Sequence, residues 1–236
     1  GYEANHDGKD DAFIKKPFYN FEMHMSLFAS YYANSKWEVY FRDIKKSLIK
    51  DNNNQYGYHF RDEDFYIYIT THEYRHYVEG GTGLRSLIDR FVFLKTKSKM
   101  DWNYVERNLQ ELDLFEYEKK CREFCNRYLL NEDSCLFEIC NEDLVAFLER
   151  FVLSGTYGNL DNIINDEIHK SKSKSIGKLK YCFKRLFPSV EVFKYHYPFF
   201  YKHKWLMPLG YIYRIIYKSI KRHKELIHEA MLLLKK

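Results

Sequence analysis

The segment His72–Asp89 holds the residue types in this chain that are best suited to chemistry. It contains two histidines, two arginines, three glycines and three acids between apolar runs. Two kinds of site fit it. His72-Glu73-x-x-His76 matches the HExxH pattern of zinc hydrolases. The glycines also form a turn that leads into a helix carrying Arg85, as in phosphate-binding corners.

The zinc interpretation depends on a helix, on which His72 and His76 lie one turn apart and Glu73 could polarise a metal-bound water. The extended pattern needs a Gly and then a third His downstream, but Glu79 and Thr82 occupy those positions. A downstream Glu as third ligand stays open. The competing interpretation is a pair of histidines hydrogen-bonded inside a helical bundle. We therefore favour a site without zinc.

The phosphate interpretation starts from Arg85, a cation in the first turn of its helix, where it opposes the helix dipole. Either Asp89, one turn on, or a bound anion must compensate. A phosphate would lie on the backbone amides of Gly81, Thr82 and Gly83, with Arg85 closing over it. Both can hold, because Asp89 could orient Arg85 toward the ligand.

A third candidate lies near the start of the chain, where apolar Phe21 and Met23 alternate with Glu22 and His24. Period-two alternation predicts a β-strand with Glu22 and His24 on one face. Glu22 is a suitable ligand for Mg²⁺, which takes one or two carboxylates plus phosphate oxygens and water. The competing interpretation is the solvent-facing side of a sheet.

The elements that must position these residues are two short strands followed by helices. The strands are predicted at 12–16 and 18–27. Helices are predicted at 37–50, 62–79, 101–112, 114–130 and 141–153, with a last long one from about residue 209. The fold class is therefore α+β, mostly helical. The polar run 51–54 suggests two domains, 1–55 with a hairpin and a helix, and 56–236, a helical domain with a basic C-terminal tail.

Two local details of this scheme concern the helix that carries Arg85. Thr82 is a suitable N-cap for it. Its buried face is predicted to consist of five apolar side chains: Leu84, Leu87, Ile88, Phe91 and Val92. On the preceding helix, the stripe that holds His72 and His76 is predicted to include the core residues Phe65 and Ile69.

Composition limits the possible classes of protein. Hydrophobic residues make up 45% of the 236 positions, enough for a sizeable core, and no long uncharged apolar run predicts a transmembrane helix. The five cysteines form no CxxC pair, which favours reduced thiols and a cytoplasmic setting. The net charge is +5, and after Lys170 basic residues far outnumber acids. That tail is either a solvated face or a surface for nucleic acid or anionic lipid.

Three segments together resemble a known family. Phe21-Glu22-Met23-His24, the segment 72–76 and the segment 80–89 look like the bacterial "uncharacterised nucleotidyltransferase" family of the DNA polymerase β-like superfamily. The segments 154–159, 187–189, 197–198 and 205–208 are similar to it as well. The resemblance thus extends over nearly the whole chain.

The resemblance implies a mixed-sheet catalytic domain followed by a helical domain, and transfer of a nucleotidyl group from a nucleoside triphosphate to an acceptor. Three carboxylates would hold two Mg²⁺ ions. Glu22 matches the third carboxylate, whereas the first two are carried by a Gly-Ser turn followed by Asp-x-Asp, and this sequence lacks that combination: Asp62-Glu63-Asp64 begins a predicted helix and has no Gly-Ser before it. We expect the chain to be the later part of such an enzyme and inactive alone. Incorporation of labelled nucleotide that Glu22→Gln abolishes would contradict this.

We therefore predict Glu22 and His24 as catalytic residues, with Glu22 also a metal ligand. The predicted nucleotide- and phosphate-binding set is Gly81, Thr82, Gly83, Arg85, Asp89, His72 and His76. The expected cofactor is Mg²⁺, and the partners are a nucleoside triphosphate and an unspecified acceptor. The alternatives are a non-catalytic helical module whose basic, aromatic tail binds a partner, and the zinc hydrolase.

Overall fold

The computed structural model describes residues 1–5, 10–24, 26–28, 35–97, 99–130, 142–155 and 159–235. These residues are mostly helical, with short antiparallel strands before the first long helix, which confirms the α+β, mostly helical class. The strands are β1 Glu3–Asn5, β2 Asp10–Lys15, β3 Tyr19–His24, β4 Ile49–Lys50 and β5 Tyr58–His59. The α-helices are α1 Ser35–Phe41, α2 Asp62–Val78, α3 Leu84–Thr96, α4 Trp102–Glu111, α5 Phe115–Phe124, α6 Glu142–Ser154, α7 Leu160–His169, α8 Lys174–Leu186, α9 Val190–His196, α10 Pro198–Lys202, α11 Met207–Lys221 and α12 His223–Lys235.

The chain divides into two compact units. One comprises Gly1–Ser47 together with Lys172–Lys236, and the other comprises Leu48–Ser171. We describe each by itself, and the predicted division after residue 55 stays a prediction. No described helix is long and apolar enough to cross a bilayer.

The first three strands form an antiparallel sheet in the order β1-β2-β3, in which Ala12 lies opposite Glu22. The two predicted strands are confirmed. Both faces of β3 are exposed, however, including the apolar Phe21 and Met23. The alternation of this strand therefore correctly predicted its geometry but not burial of its apolar face.

The helix predicted at 37–50 is wrong beyond Phe41. A short 3₁₀ turn, Ile44–Ser47, follows α1, and β4 then pairs with β5. The Asp51 backbone N–H also donates to the Gly57 carbonyl at 2.9 Å. These hydrogen bonds form a hairpin. The hairpin uses backbone N–H and C=O groups that a longer helix would need for its own hydrogen bonds.

The second unit has a core where α3, α5 and α6 meet. Its buried residues are Leu87, Cys121, Phe124, Cys125, Phe147 and Phe151. Cys121 and Cys125 are unpaired thiols, as their spacing predicted. After α5 the chain continues as a π-helical segment, Cys125–Leu129, so the predicted helix over 114–130 is confirmed in extent. The predicted first residue of the helix over 141–153 lies outside the described residues, which resume at Glu142, the start of α6.

The C-terminal part of the first unit is a series of helices, α8 to α12. The Lys/Ser-rich segment 170–180 is helical from Lys174, where α8 begins. The side chain of Ser173, the N-cap, accepts a hydrogen bond from the Ile176 N–H. The predicted last helix is two helices, α11 and α12. A Cβ at Gly210 would come within 2.9 Å of the Phe193 and Phe200 rings, so this glycine lets α11 pack closely on α9 and α10.

Candidate functional site

A cavity of about 500 Å³ opens along α2 and α3 in the second unit. Five predicted site residues line it: His72, His76, Thr82, Arg85 and Asp89. They come from the last turns of α2, from the glycine-rich connection and from the first turns of α3. The structure thus brings together most of the predicted nucleotide-binding set, whereas Gly81 and Gly83 shape the connection beside the cavity.

The two faces of α2 have different roles. The stripe of Phe65, Ile69, His72 and His76 borders the cavity. This stripe was predicted to pack in the core, and that prediction is wrong because a polar stripe, Tyr66-Thr70-Glu73, is buried in its place.

A buried ion pair forms the floor of the cavity. The Arg90 Nη2 donates to Glu73 Oε2 at 2.8 Å, and its Nη1 donates to the hydroxyls of Tyr66 at 2.7 Å and Thr70 at 3.2 Å. The Tyr117 hydroxyl donates to the other Glu73 oxygen at 2.5 Å. Because both charges are paired and hydrogen-bonded, the cavity has a rigid base joining α2, α3 and α5.

The network continues away from the cavity through Tyr66. Its hydroxyl donates to Glu118 Oε1 at 2.7 Å, and Glu118 in turn pairs with Arg122 Nε at 3.0 Å. The Arg122 guanidinium also binds Glu106 at 2.7 Å and lies 4.4 Å from the centre of the Trp102 ring. α4 is therefore fixed to the same network.

The protonation states follow from burial and charge. Burial opposes the charge of Arg90, but the Glu73 carboxylate outweighs it and holds the pKa of the guanidinium well above its usual value. Burial, reinforced by Glu73, raises the pKa of the Tyr117 hydroxyl. At neutral pH the floor is thus an ion pair with neutral phenols as donors.

The two histidines are held from behind by Arg75. Its Nη2 lies 2.8 Å from His76 Nε2 and 3.4 Å from His72 Nε2. A guanidinium can only donate, so a histidine Nε2 that is hydrogen-bonded to it acts as the acceptor. A cation in that position opposes a metal ion on these nitrogens, and Glu73 already binds Arg90. The geometry therefore does not support HExxH chemistry.

The glycine connection has a conformation that few other residues adopt. Gly80, Gly81 and Gly83 have φ of 127°, 115° and 75°. The Gly81 backbone N–H donates to the His76 carbonyl at 2.9 Å and so closes the end of α2. That amide is already used within the protein. The predicted termination of α2 at Gly80-Gly81 is confirmed.

Thr82 does not cap the next helix, contrary to prediction. The N-cap is Gly83, and the Thr82 hydroxyl lies 2.6 Å from the Ser86 hydroxyl, with both residues lining the cavity. α3 therefore begins one residue later than expected, and two hydroxyls are exposed to the same space.

Two side chains, from α6 and α7, and one backbone N–H, from the N-cap of α7, hold the glycine turn in place. The Asn162 Nδ2 donates to the Gly80 carbonyl at 3.0 Å and to the Ser154 hydroxyl at 3.1 Å. The Asn159 N–H also donates to the Gly80 carbonyl at 3.0 Å. A Cβ on Gly81 would overlap the Ser154 hydroxyl. Close packing, as well as φ, thus requires glycine here.

Arg85 and Asp89 form the rim of the cavity. The Arg85 Nε is 3.4 Å from Asp89 Oδ2, and the two side chains are 79% and 63% exposed. The predicted compensation by Asp89 is present, with the guanidinium still accessible from solvent. The predicted buried face of α3 is partly wrong, because Leu84, Ile88 and Val92 are exposed while Arg90 is buried.

Glu22 and His24 lie in the first unit, on β3. Both are exposed, and Glu22 accepts a hydrogen bond from the Asn20 amide at 3.3 Å. Among the described residues no three His, Cys, Asp or Glu side chains are grouped to hold a metal ion. One carboxylate does not match the three-carboxylate set of a two-metal centre, so we derive no step through Mg²⁺.

The acids at 62–64 have structural roles. They bind, in chain order, the Lys97 ammonium at 3.1 Å, the Asp101 backbone N–H at 3.0 Å and the Tyr104 hydroxyl at 2.8 Å. Asp101 caps α4, at the start of the helix predicted over 101–112. Asp62 therefore ties α2 to the end of α3, and Glu63 and Asp64 tie it to the start of α4.

The sequence analysis missed Arg90 and its partners. The signal was present in α2, where Tyr66, Thr70 and Glu73 follow helical spacing, and in α3, where Arg90 lies three residues after the core residue Leu87. A charged residue at a core position needs a buried partner. That rule could have found the pair.

Comparison with known proteins gives one match. No curated protein and no solved structure matches the chain significantly. A family described as "Uncharacterised nucleotidyltransferase" matches residues 1–129, which is more than half of the 236 residues and includes β3 and the cavity between α2 and α3. The chain therefore belongs to this uncharacterised nucleotidyltransferase family.

Proposed function

We propose that the cavity between α2 and α3 binds the nucleoside triphosphate used by a nucleotidyltransferase. This proposal rests on one observation: a single cavity contains aromatic rings, a pair of hydroxyls and a solvent-accessible arginine. Family membership supports the general kind of substrate.

The aromatic side of the cavity suits the base. Phe65, Tyr68 and Phe93 line it, and the Phe65 ring centre lies 5.7 Å from that of Phe93 and 6.4 Å from that of Tyr68. Such rings provide apolar surface against which a base can stack. Stacking on such rings does not depend on which base is bound. Selection among bases would therefore depend on hydrogen bonds at the edge of the base.

The opposite side suits phosphate. Arg85, at the start of α3, offers a guanidinium whose fork matches phosphate oxygens. The hydroxyls of Thr82 and Ser86 lie beside it, and the α3 N-terminus adds positive potential. Asp89 orients Arg85 through its Nε, as the 3.4 Å pair suggests. His72 and His76 also line the cavity.

We further propose that Glu22 is one Mg²⁺ ligand and that His24, on the same strand β3, is a catalytic residue. Transfer would require carboxylates besides Glu22, so these 236 residues alone would bind nucleotide without transferring it. Incorporation of labelled nucleotide by this chain, abolished by Glu22→Gln, would overturn that part of the proposal.

The test of binding is isothermal titration of the four ribonucleoside triphosphates, with Mg²⁺ and with EDTA. Arg85→Ala is expected to weaken binding at least about tenfold, because a charge-assisted hydrogen bond contributes about 1.5–3 kcal/mol. Arg42→Ala is the matched control, since Arg42 is also an exposed arginine paired at i,i+4, with Glu38 at 3.0 Å. Equal affinity of Arg85→Ala and the control would remove Arg85 from the site.

A further inference from the structure

A second cavity, of about 740 Å³, lies among the C-terminal helices of the first unit. It is lined from α8 by Arg185, from α11 by Arg214 and Lys218, and from the α11–α12 connection by Arg222. This cavity is much more basic than the first, and neither the family match nor the proposed nucleotide site includes it.

One of its cations is built into the fold. Arg214 is buried, and its Nη1 donates to the carbonyls of Arg185 and Leu186 at 3.0 and 3.3 Å. These are the last carbonyls of α8, the negative end of that helix. The guanidinium is therefore fixed at the base of the cavity and does not depend on a ligand for its position.

The acids near the cavity neutralise only part of this charge. Buried Glu229 pairs with Arg185 at 3.0 Å and also accepts from the Tyr181 hydroxyl, and Glu225 pairs with Arg222 at 3.0 Å. Burial, with repulsion from Arg214, Arg185 and Arg222, lowers the pKa of the Lys218 ammonium to about 8. An anion in the cavity would relieve this repulsion.

The walls are tyrosines. Tyr197, Tyr213 and Tyr217 line the cavity, with Tyr213 and Tyr217 nearly parallel at 6.0 Å between ring centres and Tyr197 edge-on to Tyr213 at 6.3 Å. Cations beside aromatic faces are the combination that binds single strands, where phosphates meet Arg and Lys and bases stack on rings.

We propose that this cavity binds single-stranded nucleic acid through its backbone phosphates, with unstacked bases against the tyrosines. The concave shape and the inward cations favour a strand over a membrane, which would contact a convex apolar face. The proposal goes beyond nucleotide binding and does not depend on the site between α2 and α3.

The experiment is fluorescence anisotropy of the full chain with a fluorescein-labelled 20-nucleotide single-stranded RNA of mixed sequence, over a range of salt concentrations. Lys218→Gln/Arg222→Gln is expected to weaken binding at least about tenfold and to reduce the slope of log K against log salt by about 1.4, since each phosphate contact contributes about 0.7. Lys172→Gln/Lys174→Gln removes the same charge outside the cavity and should change affinity much less. Circular dichroism checks that both variants fold.

Three outcomes would overturn the proposal. The first is equal loss of RNA affinity in both double variants, which would indicate nonspecific charge. The second is absence of RNA binding with cavity-dependent binding to phosphatidylglycerol vesicles, which would indicate a membrane surface. The third is binding of inorganic phosphate alone, which would indicate a small-anion site. None of them bears on Arg85 and nucleotide binding, so failure here is distinguishable from failure of the proposed function.

Discussion

The two cavities differ in how their charges are balanced. Between α2 and α3 each arginine has an acid partner, Arg90 with Glu73 and Arg85 with Asp89. In the C-terminal cavity Arg214 donates to backbone carbonyls, and Lys218 is repelled by its neighbours. Balanced charge suits a site that orients one small ligand, whereas excess positive charge suits a polyanion. The variants below test this contrast.

The largest effect is expected from breaking the buried pair of the balanced cavity. Glu73→Gln leaves Arg90 charged and unpaired, and should reduce the free energy of unfolding by about 3–5 kcal/mol in urea denaturation. The double variant Glu73→Leu/Arg90→Met removes both charges and should recover part of that loss. Asp89→Asn, in an exposed pair, should change stability by less than about 1 kcal/mol. Similar losses in Glu73→Gln and Asp89→Asn would mean that the floor does not support the site.

An intermediate effect is expected in the glycine connection of the same cavity. Gly81→Ala combines a φ of 115° with overlap of the new Cβ and the Ser154 hydroxyl, and should cost about 2–3 kcal/mol. Gly155→Ala is the matched control, because Gly155 has a φ of 64° but no atom of the described residues lies within 4 Å of an added Cβ. Its cost should be about 1–2 kcal/mol, from conformation alone. A Gly81→Ala variant as stable as Gly155→Ala would contradict the packing argument.

The smallest effect concerns the unbalanced cavity, and it has the opposite sign. Lys218→Met removes a repelled cation and should raise the Tm by a few degrees at pH 7. The pKa of Lys218 is about 8 in the folded chain and about 10.5 when unfolded. Between those values the unfolded chain binds the extra proton, so wild-type stability rises with pH and the advantage of Lys218→Met shrinks.

Lys221→Met, on the exposed side of the same helix, is the control for added hydrophobicity. A Tm for Lys218→Met that is unchanged or lower at pH 7, or a gain that grows toward pH 10, would contradict the description of this cavity as unbalanced. Calorimetry at pH 7, 8.5 and 10 provides the comparison.

The sequence pattern predicted those features of the fold that depend on interactions between residues close together in the chain. The alternation around Glu22 gave β3, Asp101 gave the start of α4, and the glycines after His76 gave the end of α2. Long-range pairing was not predictable in the same way. α1 ends early because β4 pairs with β5. The buried face of α3 includes Arg90 because Glu73 and Tyr66, on another helix, form hydrogen bonds with its guanidinium. The predicted site residues came together because His72, His76, Arg85 and Asp89 are close in sequence, whereas their floor includes Tyr117, 44 residues from Glu73.

The most direct test of nucleotide binding between α2 and α3 is photolabelling of the full chain with 8-azido-ATP and Mg²⁺, followed by peptide mapping. We predict label on peptides that contain Phe65, Tyr68 or Phe93, suppressed by excess ATP and strongly reduced in Arg85→Ala but not in Arg42→Ala. Label confined to residues 184–222, or label between α2 and α3 that Arg85→Ala leaves unchanged, would contradict the assignment of this cavity as the triphosphate site.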